Sequence, residues 1–191
     1  MAAAVGARVP RRGNVACRAL GRMMLAAMRF RIDGEIPDHP RLVIAVAPHT
    51  SNWDFVVGMA AMFALDLRLS FLAKHTLFRG PFAPLMRWMG GIEVNRSNPD
   101  GVVEQAVAAF GTVDRRLLAI APEGTRRRVA HFKLGFLRIA RAAGVPVLLA
   151  ALDFGRRRVT FGPLIEPGED IAAECARIEA YFAPIRGCRP R

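Results

Sequence analysis

A chain of 191 residues fits one domain, and 52% hydrophobic residues with a mean hydropathy of +0.22 supply more apolar material than one core needs, which excludes a disordered chain. The net charge is +12, and of 28 basic residues only Lys74 and Lys133 are lysine. That sign favours a phosphate-bearing partner, lipid or nucleic acid, and an anionic membrane surface fits it; the excess of arginine over lysine reads as coding bias.

Residues 1–13 are rich in Ala, Gly and Arg and are expected to fray. Residues 14–30 predict a helix. At 100° per residue, Arg18, Arg22 and Arg29 fall within about 40° of one another. The opposite arc holds Cys17, Leu20, Met23, Met24, Ala27 and Met28. Two readings stand for this basic amphipathic helix: it lies in a membrane interface, or it packs on the domain with its basic face in water. Arg18 and Arg22 also break the N-terminal apolar stretch, so no secretory signal is read there. No apolar run reaches the ~20 residues that a bilayer crossing takes.

A polar, hairpin-like stretch, FRIDGEIPDHP, follows. LVIAVA at 42–47 is short, β-branched and unbroken, which predicts a buried strand. A helix is predicted from Asp54 to Ala64, a strand at 69–73, a short helix around Leu85–Met89 and a strand at 92–94. Then come a helix over 100–111, a strand at 117–121, and a helix over 132–143 closed by Gly144. Strands at 145–153 and 157–162 and a helix over 169–182 complete the chain. Strands alternating with helices imply a single-domain α/β sandwich, a central mostly parallel sheet flanked by helices. Cys17, Cys175 and Cys188 are scattered, with neither metal-ligand spacing nor a disulfide framework. They are expected to be free thiols in a reducing compartment.

Two predicted strand ends carry chemistry. In PHTSNWD, 48–54, His49 stands just past a buried strand, where acid–base groups are well placed. On an uninterrupted helix His49 and Asp54 would point about 140° apart. Across a turn that leads into a helix, Asp54 can hold one ring nitrogen and leave the other free as a base. Taken alone, the pair is explained better as a capping aspartate beside a surface histidine. In APEGTR, 121–126, Gly124 lets a substrate approach the backbone. Arg126 offers a planar fork for phosphate, and Glu123 can orient it. The competing reading is a helix N-terminus, with Glu123 and Thr125 in a turn and Arg126–Arg128 as a solvated run. GGIEVNR, 90–96, delivers Arg96 from a short strand as a further phosphate contact or a surface ion pair. Lys74 also follows an apolar strand. In open α/β sheets ligands gather at strand ends of one polarity, so these segments are expected to share one mouth.

At this point the chain resembles the lysophosphatidate (1-acylglycerol-3-phosphate) acyltransferase family of glycerolipid enzymes. The His-x4-Asp block of that family is matched by His49-Thr50-Ser51-Asn52-Trp53-Asp54. Its second block is matched loosely by Gly91-Ile92-Glu93-Val94-Asn95-Arg96, and Glu-Gly-Thr-Arg is matched fully by Glu123-Gly124-Thr125-Arg126. A fourth block, Val-Pro before an apolar strand, is met by Val145-Pro146-Val147-Leu148-Leu149. The order agrees over about residues 40–165. Pro48 stands where the family often has Asn, Ala150 roughly where it has a second Pro, and Glu93 is charged where the block tends to be apolar.

The resemblance implies an acyltransferase domain over 31–191, behind the flexible end and amphipathic helix of 1–30. It implies His49 and Asp54 as the catalytic residues. Lys74, Arg96, Glu123, Gly124, Thr125 and Arg126 would bind substrate, with the oxyanion held by backbone N–H groups near the strand ends. The implied reaction moves a fatty acyl group from acyl-CoA or acyl-carrier protein to a lyso-lipid hydroxyl, lysophosphatidate by default and lyso-ornithine lipid as an alternative. No metal or other cofactor is called for. The expected location is peripheral, on the cytoplasmic face of the membrane. Two rivals come from other classes. A serine hydrolase using Ser51 or Ser70 lacks a Gly-x-Ser-x-Gly elbow. A non-catalytic basic module binding lipid or nucleic acid fits the charge, but the arginines are dispersed and Tyr181 is the only tyrosine, so no nucleic acid partner is expected.

Overall fold

An unbroken apolar strand needs cover on both faces, and the run 42–47 receives it. The computed structural model describes residues 3–94, 99–127 and 129–189. Strand β4 (Arg41–Ala47) lies inside a seven-stranded sheet, between β7 (Arg116–Ile120) and β8 (Val147–Asp153), and parallel to both. The full order is β2-β9-β8-β4-β7-β5-β6, with β5 at Leu69–Lys74, β6 at Gly91–Val94, β9 at Arg158–Ile165 and β2 at Arg31–Asp33. β8, β4, β7, β5 and β6 run the same way. β9 is antiparallel to β8, and β2 is parallel to β9. The sheet is therefore mostly parallel, as expected.

Side chains along the central strands alternate between two cores, as the two-residue period of a strand requires. Leu42 and Ile44 join Leu148 and Leu152 in the core beneath helices α1 (Val15–Ala27) and α2 (Asn52–Ala64). Val43, Ala45 and Ala47 join Val147 and Leu149 in the core beneath α4 (Pro99–Gly111), α5 (Gly135–Ala143) and α6 (Ile171–Phe182). A short helix α3 (Ala83–Trp88) follows a 3-10 turn at His75–Phe78. Gly144 closes α5 in the left-handed conformation, where glycine is unstrained.

The structure departs from expectation in four places. Residues 4–12 are not frayed. Strand β1 (Ala4–Val5) pairs with β3 (Glu35–Ile36), Val9 is fully buried, and the Arg12 guanidinium lies 4.7 Å from the Trp88 ring and 5.2 Å from that of Phe63. The stretch read as hairpin-like is no hairpin: β2 pairs with β9 and β3 with β1. Strand β9 runs on past Gly162 to Ile165 through an irregularity in its pairing with β8, which absorbs Pro163, a residue with no N–H to give the ladder. Lastly, α5 begins at Gly135 rather than 132, because the amide of Lys133 donates to the Pro122 carbonyl (2.8 Å) and that of Phe132 to Glu179.

Helix α1 crosses the C-terminal half of α2 at close range. A Cβ on Gly21 would lie 2.4 Å from the Ala64 nitrogen and 2.6 Å from the Ala60 oxygen. The arc opposite its arginines is divided. Cys17 is buried and Met24 and Met28 pack on the core, while Leu20 and Met23 face outward, 42% and 63% exposed; Leu25, on the arginine side of the helix, is buried as well. No described helix is long and apolar enough to cross a membrane.

Candidate active site

β4 ends at Ala47, and residues 48–51 turn the chain into α2 through a cis Ala47–Pro48 bond. Ser51 is the N-cap of α2. Its hydroxyl accepts from the Trp53 amide (3.0 Å), and Asp54, at the third helical position, returns a carboxylate to the Ser51 amide (2.6 Å). That reciprocal pair is a capping box. The same carboxylate oxygen, Oδ2, accepts from the Thr50 amide and lies 3.5 Å from Nδ1 of His49. Asp54 thus both caps a helix and faces the histidine. Its side chain is fully buried, whereas the His49 side chain is 25% exposed. The imidazole can be reached from outside and its partner cannot. A gap of 3.5 Å is looser than an ordinary hydrogen bond.

The second motif reaches the first through two contacts across 74 positions of sequence. Glu123, 1% exposed, accepts the backbone N–H of His49 at 2.9 Å. This differs from the expectation that it orients Arg126: the carboxylate holds the histidine's own backbone. Arg126 instead donates to the Asn52 side chain in the first turn of α2, and its guanidinium is exposed. Gly124 has φ +66°, which suits glycine, and its amide bonds the Ala121 carbonyl. Thr125 is half-buried and its hydroxyl accepts from the Arg127 amide (3.3 Å).

Lys74 ends β5, exposed, on the same sheet edge as His49 with β7 between their strands. Val94 ends β6 on that edge as well, but Arg96 lies outside the described residues. One residue was missed by sequence reasoning. Lys133 lies across Gly124, its Nζ 3.3 Å from where a Cβ would sit. Placing it in a helix obscured this; its rarity, one of two lysines in the chain, was the available signal.

The backbone N–H groups expected to form an oxyanion hole are largely engaged. Those of Thr50 and Ser51 bond Asp54, that of His49 bonds Glu123, and that of Gly124 bonds Ala121. The serines of the hydrolase reading are committed too. Ser51 is a buried cap, and Ser70 accepts from Arg116 (3.1 Å), the first residue of β7, at the opposite end of that strand from Glu123. Cys175 is no nucleophile either: burial, helped by the Glu179 charge, pushes its thiol up to about 11.

A family model described as Acyltransferase matches residues 29–152. No curated protein sequence matches the chain. Among solved structures, the chain is similar to the 1-acyl-sn-glycerophosphate (LPA) acyltransferase PlsC of Thermotoga maritima, with a TM-score of 0.61 and 17% identity over 91% of this chain and 80% of that one. At that identity the likeness is one of fold.

Proposed function

Since the chain belongs to the acyltransferase family, we propose that it transfers a fatty acyl group from an acyl thioester, acyl-CoA or acyl-carrier protein, to the hydroxyl of a lyso-lipid, with lysophosphatidate as the default acceptor. The observation that carries this reading is the partly exposed His49 with Nδ1 against the buried Asp54, joined through Glu123 to the loop that bears Arg126.

Nδ1 faces Asp54, and in this reading Nε2 is the atom that meets the acceptor. It removes the hydroxyl proton as that oxygen attacks the thioester carbonyl. The tetrahedral intermediate collapses, the C–S bond breaks, and the thiol leaves with the proton returned by the imidazolium. One ester forms, one thioester is lost, and no group of the protein is acylated. Asp54 keeps the ring oriented and stabilises its transient charge. With the nearby amides occupied, the oxyanion falls to the cations at this mouth, and Lys133 over Gly124 is the best placed of those described. Incubating the purified protein with each thioester and a panel of lyso-lipids, lyso-ornithine lipid included, and identifying products by mass, tests the reading; no acylated product from any pair would defeat it.

The acceptor's phosphate is assigned to Arg126, aided by Lys74 and Arg96. Arg126→Ala should raise the acceptor KM about tenfold or more, the usual loss for a charge-assisted contact, and leave the thioester KM nearly unchanged. A rise confined to the thioester KM would move the phosphate elsewhere.

An anionic membrane surface is the proposed partner. Large apolar side chains are exposed mainly along α1, α2 and the 3-10 turn with α3, among them Leu20, Met23, Trp53, Phe55, Phe82 and Trp88. Arg79, after the 3-10 turn, and Arg87, in α3, stand beside the last of these. A lipid-processing enzyme needs such a face towards its substrate's bilayer. Removing α1 would uncover the core beneath it, so the informative change is at its outer face. Leu20→Asp with Met23→Asp should weaken binding to anionic vesicles about tenfold while the protein stays folded. Unchanged sedimentation with vesicles would take α1 out of the contact.

A further inference from the structure

Beyond α6 the chain returns to the catalytic loop. The Phe154 amide, at the end of β8, donates to the Arg186 carbonyl (2.8 Å), and the Arg186 side chain lies over Gly155, its Cδ 3.0 Å from where a Cβ would be. Two residues of loop contact follow. A Cβ on Gly187 would stand 2.7 Å from Cγ2 and 2.8 Å from Oγ1 of Thr50. The Arg189 amide donates to that same Oγ1 at 3.2 Å. It is the only hydrogen-bond partner that the Thr50 hydroxyl has among the described residues. Thr50 is 7% exposed and adjoins His49, and its own amide bonds the Asp54 oxygen that faces the imidazole.

We infer that the C-terminal segment 186–189 is a positioning element for His49, acting through Thr50 by the bare Cα of Gly187 and the amide of Arg189. This rests on the reading of His49 as the base. The loop is held on three sides. Glu123 fixes the His49 amide, Asp54 fixes the next two, and the C-terminal segment fixes the Thr50 side chain. A His–Asp distance of 3.5 Å sits at the margin of a hydrogen bond, where a few tenths of an ångström decide whether the contact is made. Thr50 cannot shift without carrying its amide, and with it the Asp54 contact. The segment therefore sets orientation and touches neither substrate.

The test is a double-mutant cycle. Gly187→Ala forces Thr50 aside and should lower kcat about tenfold while both KM values stay within about twofold, the pattern of a misplaced base. Thr50→Ala removes the atoms that Gly187→Ala would strike, so in that background the second substitution should cost less than about twofold. Equal losses in both backgrounds, or kcat unchanged in Gly187→Ala, would overturn the inference, as would parallel rises in KM.

A second pair covers a failure to fold. Arg189→Pro deletes the amide donor that Arg189→Ala retains, and the proline variant should have the lower kcat by several-fold; equal rates would count against the inference. A third readout needs no activity. The ring 1H–15N signals of His49 should move in Gly187→Ala while those of His39, His75 and His131 hold still. Acyl transfer absent from the wild type would defeat the functional reading alone, and the His49 signals would still decide this one.

Discussion

Replacing His49 with alanine should cut kcat/KM for acyl transfer by about a thousandfold or more while the melting temperature stays near that of the wild type. The asymmetry follows from how the residue is held. What fixes it in the fold is its backbone amide, bonded to Glu123, and alanine keeps that bond. What would do chemistry is the side chain, partly exposed and touching Asp54 at 3.5 Å. A folded His49→Ala protein with near-normal turnover would end the base-catalysed mechanism. A collapsed one would show that the ring supports the loop, contrary to its exposure.

Asp54→Asn should behave differently, and the difference is the stronger test. Activity should fall by about three orders of magnitude, because an amide opposite Nδ1 favours the wrong tautomer and no longer stabilises the imidazolium. Stability should fall as well, by about 2 kcal/mol, because one buried carboxylate oxygen accepts the amides of Thr50 and Ser51 and closes the capping box of α2. His49→Ala alone should leave the thermal midpoint in place; Asp54→Asn should lower it and the rate together. Thermal melts and steady-state rates on the two purified variants separate these outcomes. An Asp54→Asn protein of unaltered stability and normal rate would remove both roles at once.

What could be read from the residues, and what could not, divides along physical lines. β4 and β8 were legible because an unbroken apolar run of six or seven residues has few other uses, and Gly144 because a closing glycine marks a helix end. The order of the motifs was legible too, and it brought His49, Asp54 and the Glu123–Arg126 segment to one sheet edge. The rest depended on contacts distant in sequence. Nothing local says that Ala4 and Val5 find Glu35 and Ile36, or that Arg12 lies against the adjoining rings of Phe63 and Trp88. Lys133 was hidden by a helical pattern whose first turn is overridden by two bonds to remote groups. Gly187 and Arg189 carry no motif at all. Glu123 was expected to orient Arg126, because a carboxylate three positions before an arginine suggests an ion pair and offers no hint that it will take the backbone amide of His49.

The placement of β4 also governs when the molecule can begin to work. Its hydrogen-bonded neighbours are β7 and β8, and both are made long after it. The carboxylate that anchors the His49 amide emerges 74 residues behind the histidine. During synthesis the nascent chain therefore carries His49 without the strands that flank it or the acid that fixes its amide, and the first half can cover the Leu42 and Ile44 face of β4 but not the face that packs beneath α4, α5 and α6. Assembly of the site must wait for nearly the whole chain, the slow regime expected when parallel pairing is non-local. A prematurely released fragment would be both inert and sticky, exposing a β-branched strand with two unpaired edges.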